Sequence, residues 1–329
     1  MKLVNHTPFP AHLFRTAIDD DRLAAAVIVR VTFDLSGDTW KIDPEQVWQV
    51  SPGPWDGPHG PMEGDDVFVR GGVDLFVFGH ARPLGGAATE SQTVVVQIGD
   101  FERTLWVYGD RCWEGDGEEL RPSRPVPFTA MPLDLNHAFG GTGAWDGLDV
   151  PFSDNPEGRG FYLSAEAAVG GPLPNLEDPN HPVQRWQDQP RPVGVGPCPF
   201  AFSGRLENIV FSDEGLLREI RPTFFNAAFP EMILPRLAAG DLIFLRGFRE
   251  DGDMEVEVPH VDLSVRLTFD DQVTIHSPVI DQVGIETDLK RAFVTFRYPF
   301  RYTIYPYQVR SCELISDRSR TKASGNAGT

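Results

Sequence analysis

The chain has 329 residues, 41% of them hydrophobic and 11% aromatic, which is enough to fill a sizeable core and excludes a fully disordered chain. Its formal net charge of −19 argues against nucleic acid as a partner and against docking on an anionic membrane leaflet. The charge fits two uses, solubility or attraction of a basic partner protein, and does not choose between them.

The opening, MKLVNHTPFPAHLF, has no charged region followed by a continuous apolar stretch, so no secretion signal is expected. No stretch approaches eighteen uninterrupted apolar residues. Residues 23–35 (LAAAVIVRVTFDL) alternate after an apolar start. Val29, Val31 and Phe33 face one way and Arg30, Thr32 and Asp34 the other, the period of a half-buried strand. Residues 75–79, 93–99 and 104–109 continue the strands, with the polar link 100–103 suggesting a hairpin. The Asp19–Asp21 acidic run reads as a solvated turn, since consecutive carboxylates do not converge on one cation.

Residues 121–200 change character, with prolines such as Pro122, Pro125, Pro151, Pro172 and Pro199 excluding long helices and central strands. Phe139, Trp145, Phe152, Phe161, Tyr162 and Trp186 set the segment apart from a linker. It is expected to be ordered, irregular and packed on sheets, with a helical turn near 165–169. Strands return at 242–245, 254–258, 261–269, 273–275 and 292–297, with an edge strand at 302–309 and a broken helix at 226–239. Residues 65–71 (DDVFVRG) echo 241–247 (DLIFLRG), which duplication or chance explains. The expected fold is mainly β, with sandwich-like antiparallel sheets and little helix. It comprises a β-rich part at 1–120, the Pro/Gly-rich segment at 121–200 and a β-rich part at 201–316, either as separate parts or as one continuous domain. The polar tail at 317–329 is expected to fray.

The search for chemistry yields no catalytic, cofactor or metal set. The glycines of AFGGTGAWDG lack the strand before and the Lys-Ser/Thr after that a phosphate loop needs. Cys112, Cys198 and Cys312 are dispersed and odd in number, which supports neither a disulfide framework nor a zinc site and suits a reducing compartment. The histidines show no ligand spacing, and His59, His80, His137, His181, His260 and His276 stand alone in sequence. Pro, Gly, Arg and aromatics concentrate in 155–162 (NPEGRGFY), either as turns pinning core aromatics or as rigid anchors for a protein partner.

Six phrases together carry a resemblance: VNHTPFPAHLFR (4–15), LAAAVIVRVTFDL, 49–81, NHAFGGTGAWDG (136–147), PFSDNPEGRGFY (151–162) and PLPNLEDP (172–179). In them the chain resembles the bacterial domain of unknown function 2169 family, which accompanies type VI secretion effectors. The resemblance implies a cytoplasmic adaptor or chaperone that holds an effector and helps load it on the VgrG/PAAR spike. It implies no cofactor and supplies no catalytic motif. Partner contact is then expected at the 136–162 loops, through Asn136, Phe139, Asn155, Arg159 and Phe161, with Gly140, Gly141, Gly158 and Gly160 shaping the backbone. The alternatives are a hydrolase-like enzyme with a site assembled from dispersed His and carboxylates, and a structural part of the secretion apparatus.

Overall fold

The computed structural model describes residues 1–37, 40–116 and 119–316, so the tail expected to fray lies outside the described residues. The architecture is mainly β and sandwich-like, and its only α-helices among the described residues are Ala165–Ala168 and Ser203–Leu206. Three larger sheets are built from both ends of the chain. The central one runs Ala11–Ala17, Arg22–Asp34, Arg291–Thr303, Val279–Glu286, Val73–Phe78 and Ile233–Leu234, with Lys41–Ile42 beside Arg22–Asp34. Arg22–Asp34 pairs antiparallel with Arg291–Thr303 along its whole length. The second sheet runs Leu176–Glu177, Phe101–Tyr108, Ser91–Ile98, Leu242–Arg246 and Met254–Glu257. The third runs Leu3–Asn5, Arg310–Ile315, Ser264–Phe269 and Gln272–His276. Strands from 1–120 and from 201–316 are therefore mates in every large sheet.

Side chains from all three sheets meet in one apolar core, among them Val29, Phe33, Phe76, Val96, Leu105, Leu245, Val265 and Leu314. The proline-rich segment builds a smaller core of its own around Trp113, Phe139, Phe161, Leu173 and Val183.

Local expectations hold in part. Ser91–Ile98 and Phe101–Tyr108 form the hairpin, but the link is only Gly99 and Asp100, because Phe101–Arg103 already pair. Asp19 caps its acidic turn by accepting the Arg22 backbone N–H at 2.9 Å. The helix expected near 226–239 is replaced by the 3-10 turn Pro230–Met232 and the short strand Ile233–Leu234, since Pro230 removes a helical donor. The strand expected at 302–309 ends at Thr303, and pairing resumes only at Arg310. The echo between 65–71 and 241–247 has no structural counterpart, because Leu242–Arg246 is a strand and 65–71 is irregular chain.

The largest departure concerns the polar face of Arg22–Asp34. Arg30 and Thr32 are buried, at 2% and 0% exposure, not half-solvated. Register places Arg30, Thr295, Gln282 and Asp74 in one row across four strands. A bulge at Asp281 brings that carboxylate to the same layer. Arg30 donates to Thr295 Oγ1 (2.8 Å), Asp65 Oδ1 (2.7 Å) and Gln282 Oε1 (2.9 Å). Asp74 accepts from Gln282 Nε2 at 3.0 Å, Asn226 Nδ2 at 2.9 Å and the backbone of Ala227 and Ala228. Asp281 accepts from Arg70 Nε at 3.2 Å and Arg297 Nε at 3.0 Å. Burial acts to lower the Arg70 pKa, but Asp74, Asp281 and Asp65 outweigh it and hold the pKa above its ordinary value. Three buried arginines thus face three buried aspartates, neutral as a set and roofed by chain from both sequence halves.

Candidate functional site

The loops expected to meet a partner form a tightly bonded base. Phe139–Gly140 pairs in parallel with Arg159–Gly160. The Asn155 amide donates to the carbonyls of Leu135 (2.8 Å) and Phe139 (3.1 Å), and its own carbonyl accepts from Gly141 N–H at 2.8 Å. Gly140 has φ +150°, and a Cβ there would overlap the Asn155 carbonyl oxygen, so the close approach requires glycine. Gly158 is equally constrained, with Asn155 against it. Phe139 and Phe161 both lie against Phe152, with ring centroids 5.1 and 5.2 Å away, inside the smaller core.

This placement corrects the expected roles. Phe139, Asn155 and Phe161 are buried and present no contact face, while the buried Gly140, Gly141 and Gly160 shape the base as the sequence suggests. Asn136 is exposed, and Arg159 is half-buried, its Nε donating to the Asn136 carbonyl at 2.9 Å. What the base carries is a hairpin, Thr142–Trp145 paired with Leu148–Pro151. Its turn residues Asp146 and Gly147 both have positive φ, +50° and +77°, the geometry that suits Asp-Gly in a two-residue hairpin loop. The hairpin exposes Trp145 (61%), Leu148 (69%) and Val150 (36%). Sequence reasoning missed these three, although the Asp-Gly pair was a usable signal. A second two-stranded hairpin, Ile209–Phe211 with Leu217–Ile220, exposes Phe211, Leu216, Leu217 and Ile220. Ribbons of two strands are marginal alone in water, and apolar tips on them are the kind of surface a protein partner covers.

A cavity of about 560 Å³ lies where the proline-rich segment meets the central sheet, lined by His59, Phe78, His80, Asp134, Asn136 and Glu157 among others. Here His59 and His80, which stand alone in sequence, acquire carboxylates, as does His137 next to the lining residue Asn136. His59 Nε2 lies 2.6 Å from Glu286 Oε1, and its ring stacks on Phe78 at 4.6 Å. His80 Nδ1 lies 2.6 Å from Asp288 Oδ2, and His137 Nδ1 lies 2.6 Å from Asp134 Oδ1. Away from the cavity, His6 meets Glu313 and His12 meets Asp66. Glu286 also accepts from Trp48 Nε1 at 3.0 Å and from Arg291. Burial acts to raise the Glu286 pKa, but the bonds from Arg291, His59 and Trp48 win and hold it at about 2. The Asp288 carboxyl is likewise lowered, burial being outweighed by His80 and Arg82. A carboxylate fixed as an anion can orient the imidazole that it faces. The cavity lining has no Ser, Thr or Cys to act as a nucleophile. Among the described residues no three His, Cys, Asp or Glu side chains gather as a metal-binding group.

Residues 20–297 match the model of the family described as "Uncharacterized protein conserved in bacteria (DUF2169)", and the chain belongs to that family. Comparison with curated proteins gives no match, and comparison with solved structures gives none.

Proposed function

We propose that this member of the family works by holding another protein: a cytoplasmic adaptor or chaperone for a type VI secretion effector, delivering it to the VgrG/PAAR spike. The effector link rests on the sequence phrases quoted above. The observation that carries the holding role is the hairpin with Trp145, Leu148 and Val150 exposed on a base that glycines and Asn155 make rigid. A rigid anchor loses little conformational entropy on binding, and exposed Trp is favoured among residues that dominate interface energy. The test is co-expression with an effector encoded beside the chain, followed by affinity capture. The parent should retain the effector, and Trp145→Ala/Leu148→Ala should release it with little change in melting temperature. Failure to retain any neighbour-encoded effector or spike protein sinks the reading. Equal retention by the double variant moves the contact elsewhere.

Cavity-lining His59, paired with the fully buried Glu286, favours a second reading, a hydrolase-like enzyme in which His59 activates water. A hydrolytic activity of the parent that His59→Gln abolishes, in a chain that retains no neighbour-encoded effector, would establish it over the first.

A further inference from the structure

The second sheet ends at Met254–Glu257, which among the described residues pairs only with Leu242–Arg246. Its outer side therefore offers unpaired backbone N–H and C=O groups, a template for another strand. A groove of about 470 Å³ follows this side, lined by residues 253–259 with Leu35, Trp40 and Arg249, whose guanidinium is neutralised by Asp251. An added strand would sit about 4.8 Å from the edge. Met254 and Val256 turn into the core, while Glu255 and Glu257 are exposed and make no ion pair among the described residues. On the mate strand, Phe244 stands opposite Glu255 and exposed Leu242 stands opposite Glu257. The outer face at this edge thus sets Leu242 and Phe244, with the Asp253-paired Arg246 over the Phe244 ring, beside two carboxylates at every second position. A second copy presenting the same edge would set glutamate against glutamate, which is unfavourable, so the edge rejects self-pairing.

We infer that this edge takes an extended basic segment of the held protein as an added strand, its Lys or Arg residues alternating opposite Glu255 and Glu257. Main-chain hydrogen bonds supply the attachment and the opposed charges set register and choice of partner. The inference rests on the holding role proposed above and names the chemistry of the segment that is held.

The probe is a fluorescein-labelled peptide of alternating Lys and Val, titrated by anisotropy against the full chain at moderate salt, beside a matched Glu-Val peptide. The basic peptide should bind and the acidic one should not. Glu255→Lys/Glu257→Lys should weaken the basic peptide by about tenfold or more, the scale of two reversed cross-strand charge pairs, and should now take the acidic peptide. If the reversal lowers the melting temperature, Glu255→Gln/Glu257→Gln replaces it, with loss of preference between the two peptides expected. Equal binding of a basic peptide N-methylated at alternate residues would overturn strand addition. An equal loss from Asp20→Lys/Asp21→Lys, remote in sequence and exposed, would show attraction to net charge alone and overturn the site. Absence of peptide binding while effector retention still depends on Trp145 would refute the edge and leave the holding role standing. Peptide binding without any retained effector would do the reverse.

Discussion

The buried layer of three arginines and three aspartates makes a sharp demand on stability. Asp281 is 6% exposed and bridges Arg70 and Arg297. Asp281→Ala leaves three buried guanidinium groups facing two carboxylates. Removing one partner of a buried pair costs about 3–5 kcal/mol, because the remaining charge stays desolvated without its counter-ion. For a domain of this size that is a fall in melting temperature on the order of 6–15 °C. Arg297→Met alone should also destabilise, since it frees Asp281 from one donor and leaves the Asp65 and Val67 carbonyls without the Arg297 Nη1 hydrogen bond. The double variant removes one charge of each sign and restores balance. Its loss should fall short of the summed single losses by about 1–3 kcal/mol, the coupling expected of groups in direct contact. Urea unfolding followed by tryptophan fluorescence measures all three, and the chain carries seven tryptophans. A cost below about 1 kcal/mol for Asp281→Ala, or strict additivity, would mean the layer is hydrated and the reasoning fails.

Glu286 predicts an acid limb. Its folded pKa, about 2, lies below that of an unfolded glutamate, so its stabilisation is present above roughly pH 4.5 and is lost as pH falls toward 2. The parent should exceed Glu286→Gln by at most about 3 kcal/mol at neutral pH, and urea unfolding from pH 6 to 2 should show the gap closing. A gap that stays constant across that range would contradict the assignment. Gly140 in the loop base and Gly147 in the hairpin turn separate crowding from backbone strain. Gly147→Ala meets open space and should cost only about 1–2 kcal/mol from its positive φ. Gly140→Ala collides with Asn155 and should cost about 3 kcal/mol or more, read from thermal melts. Equal costs would remove the claim that Asn155 packs against that backbone.

How much of this was legible depends on what each signal measures. The period of two in residues 23–35 correctly placed a strand and the inward face of Val29, Val31 and Phe33. It could not distinguish a wet polar face from a buried charged one, because both alternate alike. The distinction lay in Asp65 and Gln282, the Arg30 partners, 35 and 252 residues away in sequence. The glycines of the 136–162 loops were legible as backbone shapers, since glycine has few other reasons to cluster. Phe139 and Phe161 were not, because an aromatic in a loop suits a surface anchor and a core plug equally. The His59 and His80 pairs were invisible for the same reason as the charge layer, their partners lying 227 and 208 residues away, whereas His137 is only three residues from Asp134.

The charge read first in the sequence also acquires a location. Among the described residues six arginines and six carboxylates are buried, those of the central layer with Arg103, Arg111, Arg205, Asp154, Glu177 and Glu286, so the interior ions cancel in number. Neutral burial means that the net −19 is carried outside this interior. A field of that size draws basic chains from any direction and by itself selects none. Selection requires a place where charge and an unsatisfied backbone coincide, and the edge at Glu255 and Glu257 is such a place. The apolar hairpin tip at Trp145 would then supply affinity that salt does not screen, while the edge supplies the part that it does. Raising ionic strength should therefore weaken the basic peptide steeply and effector retention only modestly. Parallel loss of both would place all of the binding in the charge and none in the hairpin.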